Sequence, residues 1–306
     1  MRTRIHLVAL ATLAAVPAAA QPSSEPVPRP ILEQLVPIAD DENTPNADAL
    51  ARFVELTRHD LNGDGRAEYF VRGTGPFCGA SGNCREWVFT RDARGGYRLL
   101  LDAGGKGVTP QARTTNGWRN LWDDAHMSAY ESHRDVYRYD GERYVPTSGV
   151  LMDHSGGATR VLYTVDTPLG SPRRATLTMD ERRPGVRLSG EYTACATPTA
   201  GRLCGSPRLE MLGLPRSVPR RGRCVTMEME AGDGAVRRVA ARCAGGKAVL
   251  TLSEADWKEV LQFPEIRLRG AGYDERLPSA ARSGLVSFAE KVLEMNGIDP
   301  YPDEEM

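Results

Sequence analysis

The chain has 306 residues and a formal net charge of −1, with 39 basic against 40 acidic side chains. That balance provides neither the basic stripe that neutralises a nucleic-acid backbone nor a polybasic membrane patch, so nucleic-acid partners are excluded. The basic run Pro219–Arg223 lacks interleaved aromatics and reads as a solvated loop.

Residues 1–20 carry Arg2 and Arg4, then an apolar stretch from Ile5 to Val16, then Ala18-Ala19-Ala20 before Gln21. This is the pattern of a cleaved signal peptide, and the stretch is too short for a bilayer span. Cleavage near Ala20–Gln21 removes two arginines and no acid, taking the formal charge to −3. No transmembrane anchor is expected, and the location is periplasmic or secreted. Residues 21–46 form a proline-rich leader, extended at first, with room for a short helix limited by Pro37 and Pro45.

Residues 47–150 alternate strands and turns. Arg52–Thr57 and Glu68–Gly73 flank one acidic loop, and Arg85–Thr90 and Tyr97–Asp102 flank another turn. Asp135–Tyr139 and Glu142–Pro146 flank Asp140-Gly141, the strongest hairpin signal in the chain. Three successive hairpins predict an antiparallel domain. Trp118, Trp122, Tyr130, Tyr137, Tyr139 and Tyr144 cluster late in this region. They supply either the sheet's core, the favoured reading, or a binding face. Residues 151–250 hold six further β-like segments between Gly and Pro breaks, enough for a small barrel or sandwich. Residues 251–306 are helical, with Ser253 and Asp256 spaced as a capping box and Gly297 placed as a C-cap. The fold class predicted is mainly β, or α+β overall.

Six cysteines in an exported chain suggest disulfides. Pairing sequence neighbours gives Cys78–Cys84, Cys195–Cys204 and Cys224–Cys243. No C-x-x-C motif and no nearby histidine supports zinc instead.

The chemistry concentrates in His59–Phe70, "HDLNGDGRAEYF". Counting from Asp60, side-chain oxygens fall at positions one, three, five and nine: Asp60, Asn62, Asp64 and Glu68. The Arg66 carbonyl would supply position seven. Gly63 and Gly65 permit the required curl. Hard oxygen donors at this spacing suit calcium. An EF-hand also needs a glutamate at position twelve, which here is Val71. The competing reading is a metal-free turn, for which Asn-Gly and Asp-Gly suffice.

The pattern D-x-N-x-D-G-x-x-E between two strands resembles the calcium-binding β-hairpin loops of FG-GAP and VCBS-type proteins. It covers about twenty residues, one hairpin, and implies that Asp60, Asn62, Asp64 and Glu68 are ligands. The loop, the glycine-rich Cys78–Cys84 segment, Thr115–Trp118 and the Tyr139–Tyr144 hairpin together resemble small exported bacterial domains of uncharacterised function. That wider resemblance implies a fold and a compartment, not an activity.

Catalytic motifs are weak. Asp153-His154-Ser155 places acid, base and hydroxyl side by side, whereas triads are assembled from distant positions. His126 and His133 beside Asp123 and Asp124 form a candidate metal cluster, weighed below a polar segment with a half-buried Tyr130. The expected function is a non-enzymatic envelope protein, a binding or structural module with one structural calcium loop and a protein or cell-envelope partner. The alternatives are an inhibitor of a cell-wall-degrading enzyme and a hydrolase with its site between the two domains.

Overall fold

In the computed structural model, residues 25–39, 46–170, 173–179, 187–195, 202–203, 205, 207–214, 216, 218–219, 221–230, 236–244, 247–263, 265–270 and 273–300 are described. Two helices, α1 (Arg29–Ala39) and α2 (Ala47–Leu50), precede a four-stranded antiparallel sheet of β1 (Val54–His59), β2 (Glu68–Gly73), β3 (Cys84–Arg91) and β4 (Tyr97–Gly105), in that order. Alternate residues of this sheet serve two cores. Tyr69, Val71, Trp87 and Phe89 meet Ile31, Leu35 and Leu50 of the helices. Phe70, Val88 and Leu101 point the other way, toward Leu121, Tyr137, Tyr139 and Tyr144. Burial on both faces explains why β2 and β3 read as near-continuous apolar runs rather than alternating ones.

A second antiparallel sheet begins with β5 (Thr109–Thr115), β6 (Trp118–His126), β7 (Glu131–Tyr139), β8 (Tyr144–Asp153) and β9 (Arg160–Asp166). It continues through β10 (Arg174–Met179), β11 (Arg187–Thr193) and β12 (Arg208–Leu212). Next to β12 lies β15 (Lys247–Thr251), followed by β14 (Val236–Ala244) and β13 (Gly222–Glu230). β16 (Glu265–Gly270) and β17 (Tyr273–Arg276) complete the order. The six β-like segments expected after residue 150 correspond to β9–β14. The division at residue 150 falls inside β8, which is paired on both sides.

The mainly β architecture is as the sequence predicted, but the barrel option for residues 151–250 is not realised. The sheet is open, with β5 and β17 as its edges. Helices pack on part of it instead: α3 (Glu254–Gln262) and α4 (Ser279–Glu294) set Trp257, Leu285, Phe288, Val292 and Leu293 against the strand residues, α4 on β9–β11 and α3 on β14. The approach is close because Gly190 has no side chain; a Cβ there would lie 2.8 Å from the Phe288 ring.

The expected helix ends are present. Ser253 accepts from the Asp256 N–H while the Asp256 carboxylate accepts from the Ser253 N–H, a reciprocal capping box. At the end of α4, Ile298 N–H bonds Leu293 O and Gly297 N–H bonds Glu294 O, with Gly297 at φ 66°. This is a Schellman closure, with Ile298 and Leu293 both buried as its apolar contact.

The leader departs from expectation. α1 begins at Arg29 and runs through Pro37, and four of its residues are buried. Pro30 stands at the second helical position, where its missing N–H costs nothing. Pro37 stands two residues from the end and lacks only its own N–H bond. Part of residues 21–46 therefore belongs to the folded core. Disulfides join Cys78 to Cys84 and Cys224 to Cys243. Cys195 is also disulfide-bonded, while Cys204 lies outside the described residues. No helix among the described residues is long and apolar enough to cross a membrane.

Candidate functional site

The acidic loop is the β1–β2 connection, and His59 and Glu68 are its closing strand pair. Its interior is organised by side chains capping backbone N–H groups. Asp60 accepts from Gly63 N–H at 2.7 Å and from Gly65 N–H at 3.0 Å. Asn62 accepts from Asp64 N–H at 3.0 Å, and Asp64 accepts from Arg66 N–H at 2.7 Å. Gly63 and Gly65 take φ of 76° and 80°, the left-handed values the curl needs. Leu61 is buried below, and its carbonyl accepts from Arg119 N–H at 2.7 Å, tying the loop to β6. Asp64 and Arg66 are exposed at the tip, and Asp60 and Asn62 partly so.

Glu68 behaves differently. It is only 2% exposed, with Oε2 accepting from Leu61 N–H at 2.9 Å and Oε1 from the Thr90 hydroxyl at 3.1 Å. Burial pushes its carboxyl above the ordinary glutamate range; the Leu61 and Thr90 bonds pull it down, and Asp64 and Asp60 push it up again. The structure thus gathers Asp60, Asn62, Asp64 and the Arg66 amide at the tip and sets Glu68 beneath them.

This donor set is chemically suited to a hard cation. Each oxygen engaged by one N–H keeps a further lone pair, and calcium accepts amide and carbonyl oxygens as well as carboxylates. Among the described residues, no group of three or more His, Cys, Asp or Glu side chains is gathered as a metal cluster. Any cation here would therefore draw on Asn62 and backbone carbonyls.

The Glu68 environment sets a pH dependence. A carboxyl whose folded pKa is raised contributes stability that is complete at acid pH and is lost as pH rises through that folded value. Glu68→Gln keeps the geometry, since its oxygen can accept from Leu61 N–H and its amide can donate to the Thr90 oxygen. Without divalent cations at pH 7, Glu68→Gln is expected to melt above the parent protein, and the gap to close on acidification. A variant melting below the parent at pH 7 would show that the ionised carboxylate is stabilising. Thermal melts across the acid range measure this.

The other candidates are placed as follows. Trp122 lies under the Arg134 guanidinium at 4.1 Å, and Tyr137, Tyr139 and Tyr144 are core residues. Tyr130 is not half-buried: it is 62% exposed, as is Met127, at the β6–β7 turn. The histidine cluster does not form. Ala125 faces His133 across the β6–β7 ladder, so His126, one residue on, projects from the opposite face. His133 approaches Asp135 at 3.4 Å instead.

Asp153, His154 and Ser155 do not act as a unit either. Asp153 accepts from Ser155 and Arg160, which hold its carboxyl far below the ordinary aspartate range. His154 Nε2 lies 2.7 Å from Ser132 Oγ, and its Nδ1 lies 3.1 Å from Thr159 Oγ1. The serine next to the histidine in sequence is thus not the one the fold brings to it.

Sequence reading missed a buried charge network at the crossing from β4 to β5. Glu86 Oε2 accepts from Arg72 at 3.2 Å and from Val108 N–H at 3.0 Å. Asp123 accepts from Gly107 N–H at 3.1 Å. Burial raises both carboxyls above their ordinary range, with Arg72 opposing it in each case. The signal available was the glycine-rich run Gly104-Gly105-Lys106-Gly107: a Cβ on Gly105 would lie 2.4 Å from the Asp123 carboxylate oxygens.

Comparison with protein-family models, with curated proteins and with solved structures returned no match for this chain.

Proposed function

We propose that the protein is an exported, non-enzymatic envelope module whose β1–β2 loop takes one structural calcium ion. The observation carrying this reading is the loop itself: Asp60, Asn62 and Asp64 at alternating positions, curled by Gly63 and Gly65 at the tip of a hairpin. The resemblance to FG-GAP and VCBS-type loops supports the choice of ion. Two disulfides support an oxidising compartment. The ion would offset the repulsion between Asp60 and Asp64 and hold the hairpin.

Calorimetric titration with Ca²⁺ tests the reading directly. Weak extracellular sites bind with Kd on the order of 10⁻⁴–10⁻³ M. Saturation at about 10 mM would then add about 1.4–2.7 kcal/mol by mass action, seen as a raised melting temperature that EDTA reverses. No binding heat and no EDTA effect would remove the ion. Glu68→Gln and Asp60→Asn are both expected to weaken the response.

The second reading, an inhibitor of a cell-wall-degrading enzyme, is favoured by the β6–β7 turn. Ser128 Oγ accepts from Tyr130 and Glu131 N–H, and Met127 N–H bonds Glu131 O. The turn is thereby braced while Met127 and Tyr130 stand exposed, the combination that suits an anchor entering a partner's cleft. Addition of the protein to peptidoglycan-lysis assays should slow the lytic enzyme, and Tyr130→Ser should abolish the effect; undiminished lysis with the parent protein rejects this reading. The hydrolase reading would rest on Ser132 and His154. It ranks third because Ser132 is buried and the second imidazole nitrogen meets a hydroxyl rather than a carboxylate.

A further inference from the structure

A cleft of about 650 Å³ opens between the β7–β8 turn, the segment joining β9 to β10 and the last turn of α4. That volume lies within the ordinary range for small-molecule sites, roughly 300–1,000 Å³. Its charges are unevenly committed. Asp140 accepts from Glu142 and Arg143 N–H, each at 2.8 Å. Glu294 is paired with Lys291 at 2.9 Å. Both acids are therefore occupied within the protein.

The guanidinium groups of Arg143 and Arg173 are held less, Arg143 acting on Asp140 through its charge alone. Both residues are exposed and line the cleft, and neither group makes a hydrogen bond or an ion pair among the described residues. Between them the wall is apolar. Leu169 is 36% exposed, unusual for a leucine in this chain, and Met295 forms the floor at 8%. Two forked cations beside an uncovered leucine present both halves of an amphiphilic recognition surface. A guanidinium pairs with carboxylate or phosphate oxygens through two parallel N–H bonds, while the leucine gains by leaving water.

We propose that this cleft binds a small organic anion, with a carboxylate or phosphate head at Arg143 and Arg173 and an apolar body against Leu169 and Met295. The site is separate from the calcium loop, and neither reading depends on the other.

The test is calorimetric titration of the full chain with phenyl phosphate and with 4-phenylbutyrate, using inorganic phosphate and benzyl alcohol as the two half-ligands. At least one whole anion should bind about tenfold or more tightly than either half, and the preferred head identifies the oxyanion. The Arg143→Gln/Arg173→Gln double variant should bind about tenfold more weakly, a change of about 1.4 kcal/mol, with a melting temperature shifted little, because neither guanidinium makes a hydrogen bond or an ion pair among the described residues and Arg143 acts on the exposed Asp140 through its charge alone. Leu169→Ser should weaken the whole anions toward the affinity of the head alone. Binding of neither whole anion in the millimolar range overturns the proposal. So does binding that survives the double variant, or inorganic phosphate binding as tightly as phenyl phosphate.

Discussion

Arg72→Met is expected to destabilise the protein by about 3 kcal/mol at pH 7, the low end of the range for orphaning a buried ionic partner. The low end applies because the Arg72 side chain keeps 27% of its exposure, whereas that of Glu86 keeps 6%. Arg72 and Glu86 are register partners on β2 and β3, so the strand ladder itself sets the pair. The same guanidinium also reaches Gly105 O at 3.4 Å and lowers the Asp123 carboxyl. Its loss leaves two buried carboxylates facing a crossover loop with only backbone N–H donors.

The sign of the pH effect follows. Glu86 and Asp123 already titrate above their ordinary ranges because of burial, and loss of Arg72 raises them further. Their contribution to stability is complete in acid and lost as pH rises through the folded values. The variant's deficit should therefore be largest at neutral pH and shrink on acidification. Urea denaturation of both proteins at about pH 7 and about pH 3.5, on either side of the ordinary glutamate value, measures it. Adding Glu86→Gln to the variant should recover more than half the loss, since the amide oxygen can still accept from Val108 N–H. Failure of that rescue would place the role of Arg72 in its aliphatic stem.

The features readable in sequence share one property: their causes are local. Asp140-Gly141 specifies its own turn, and Gly141 adopts φ 117° there. Ser253 and Asp256 need only each other to cap α3. Leu285, Phe288, Ala289, Val292 and Leu293 declare their face by spacing, and all are fully buried. The acidic loop is likewise local for Asp60, Asn62 and Asp64, whose bonds are to amides two to five residues away. The features missed depend on register between distant strands. The Thr90 hydroxyl that Glu68 meets lies 22 residues on. Ser132 meets His154, 22 residues away, only because β7 pairs β8. β5 escaped notice for another reason. It is an edge strand with no buried residue and with Pro110 inside it, so it carries no alternation to detect. The Asn116-Gly117 pair that closes β5 on β6 was the signal available, with φ of 51° and 80°.

Gly270→Ala is expected to be the most damaging single methyl at a glycine among the described residues, at about 2–6 kcal/mol. Two independent costs combine. Gly270 closes β16 at φ 157°, a region occupied almost only by glycine and costing about 1–3 kcal/mol for other residues. A Cβ there would also lie 2.4 Å from the Cys224 carbonyl oxygen and 3.0 Å from the Val225 Cα, and overpacking costs about 1–3 kcal/mol more. The obstruction is backbone, not the end of a flexible side chain. It is also backbone with little freedom, because Cys224 sits at the β13 register shift and is tied to Cys243 on β14. The strain therefore cannot be relieved by a rotamer change and must open the β13–β16 pairing. Gly82→Ala separates the two costs, since Gly82 has φ 77° but nothing within 4 Å of its Cβ position. It should lose only the conformational part, about 1–2 kcal/mol. Denaturation curves giving equal losses for the two variants would show that β13 and β16 part freely, and that the end of the large sheet is not held at this contact.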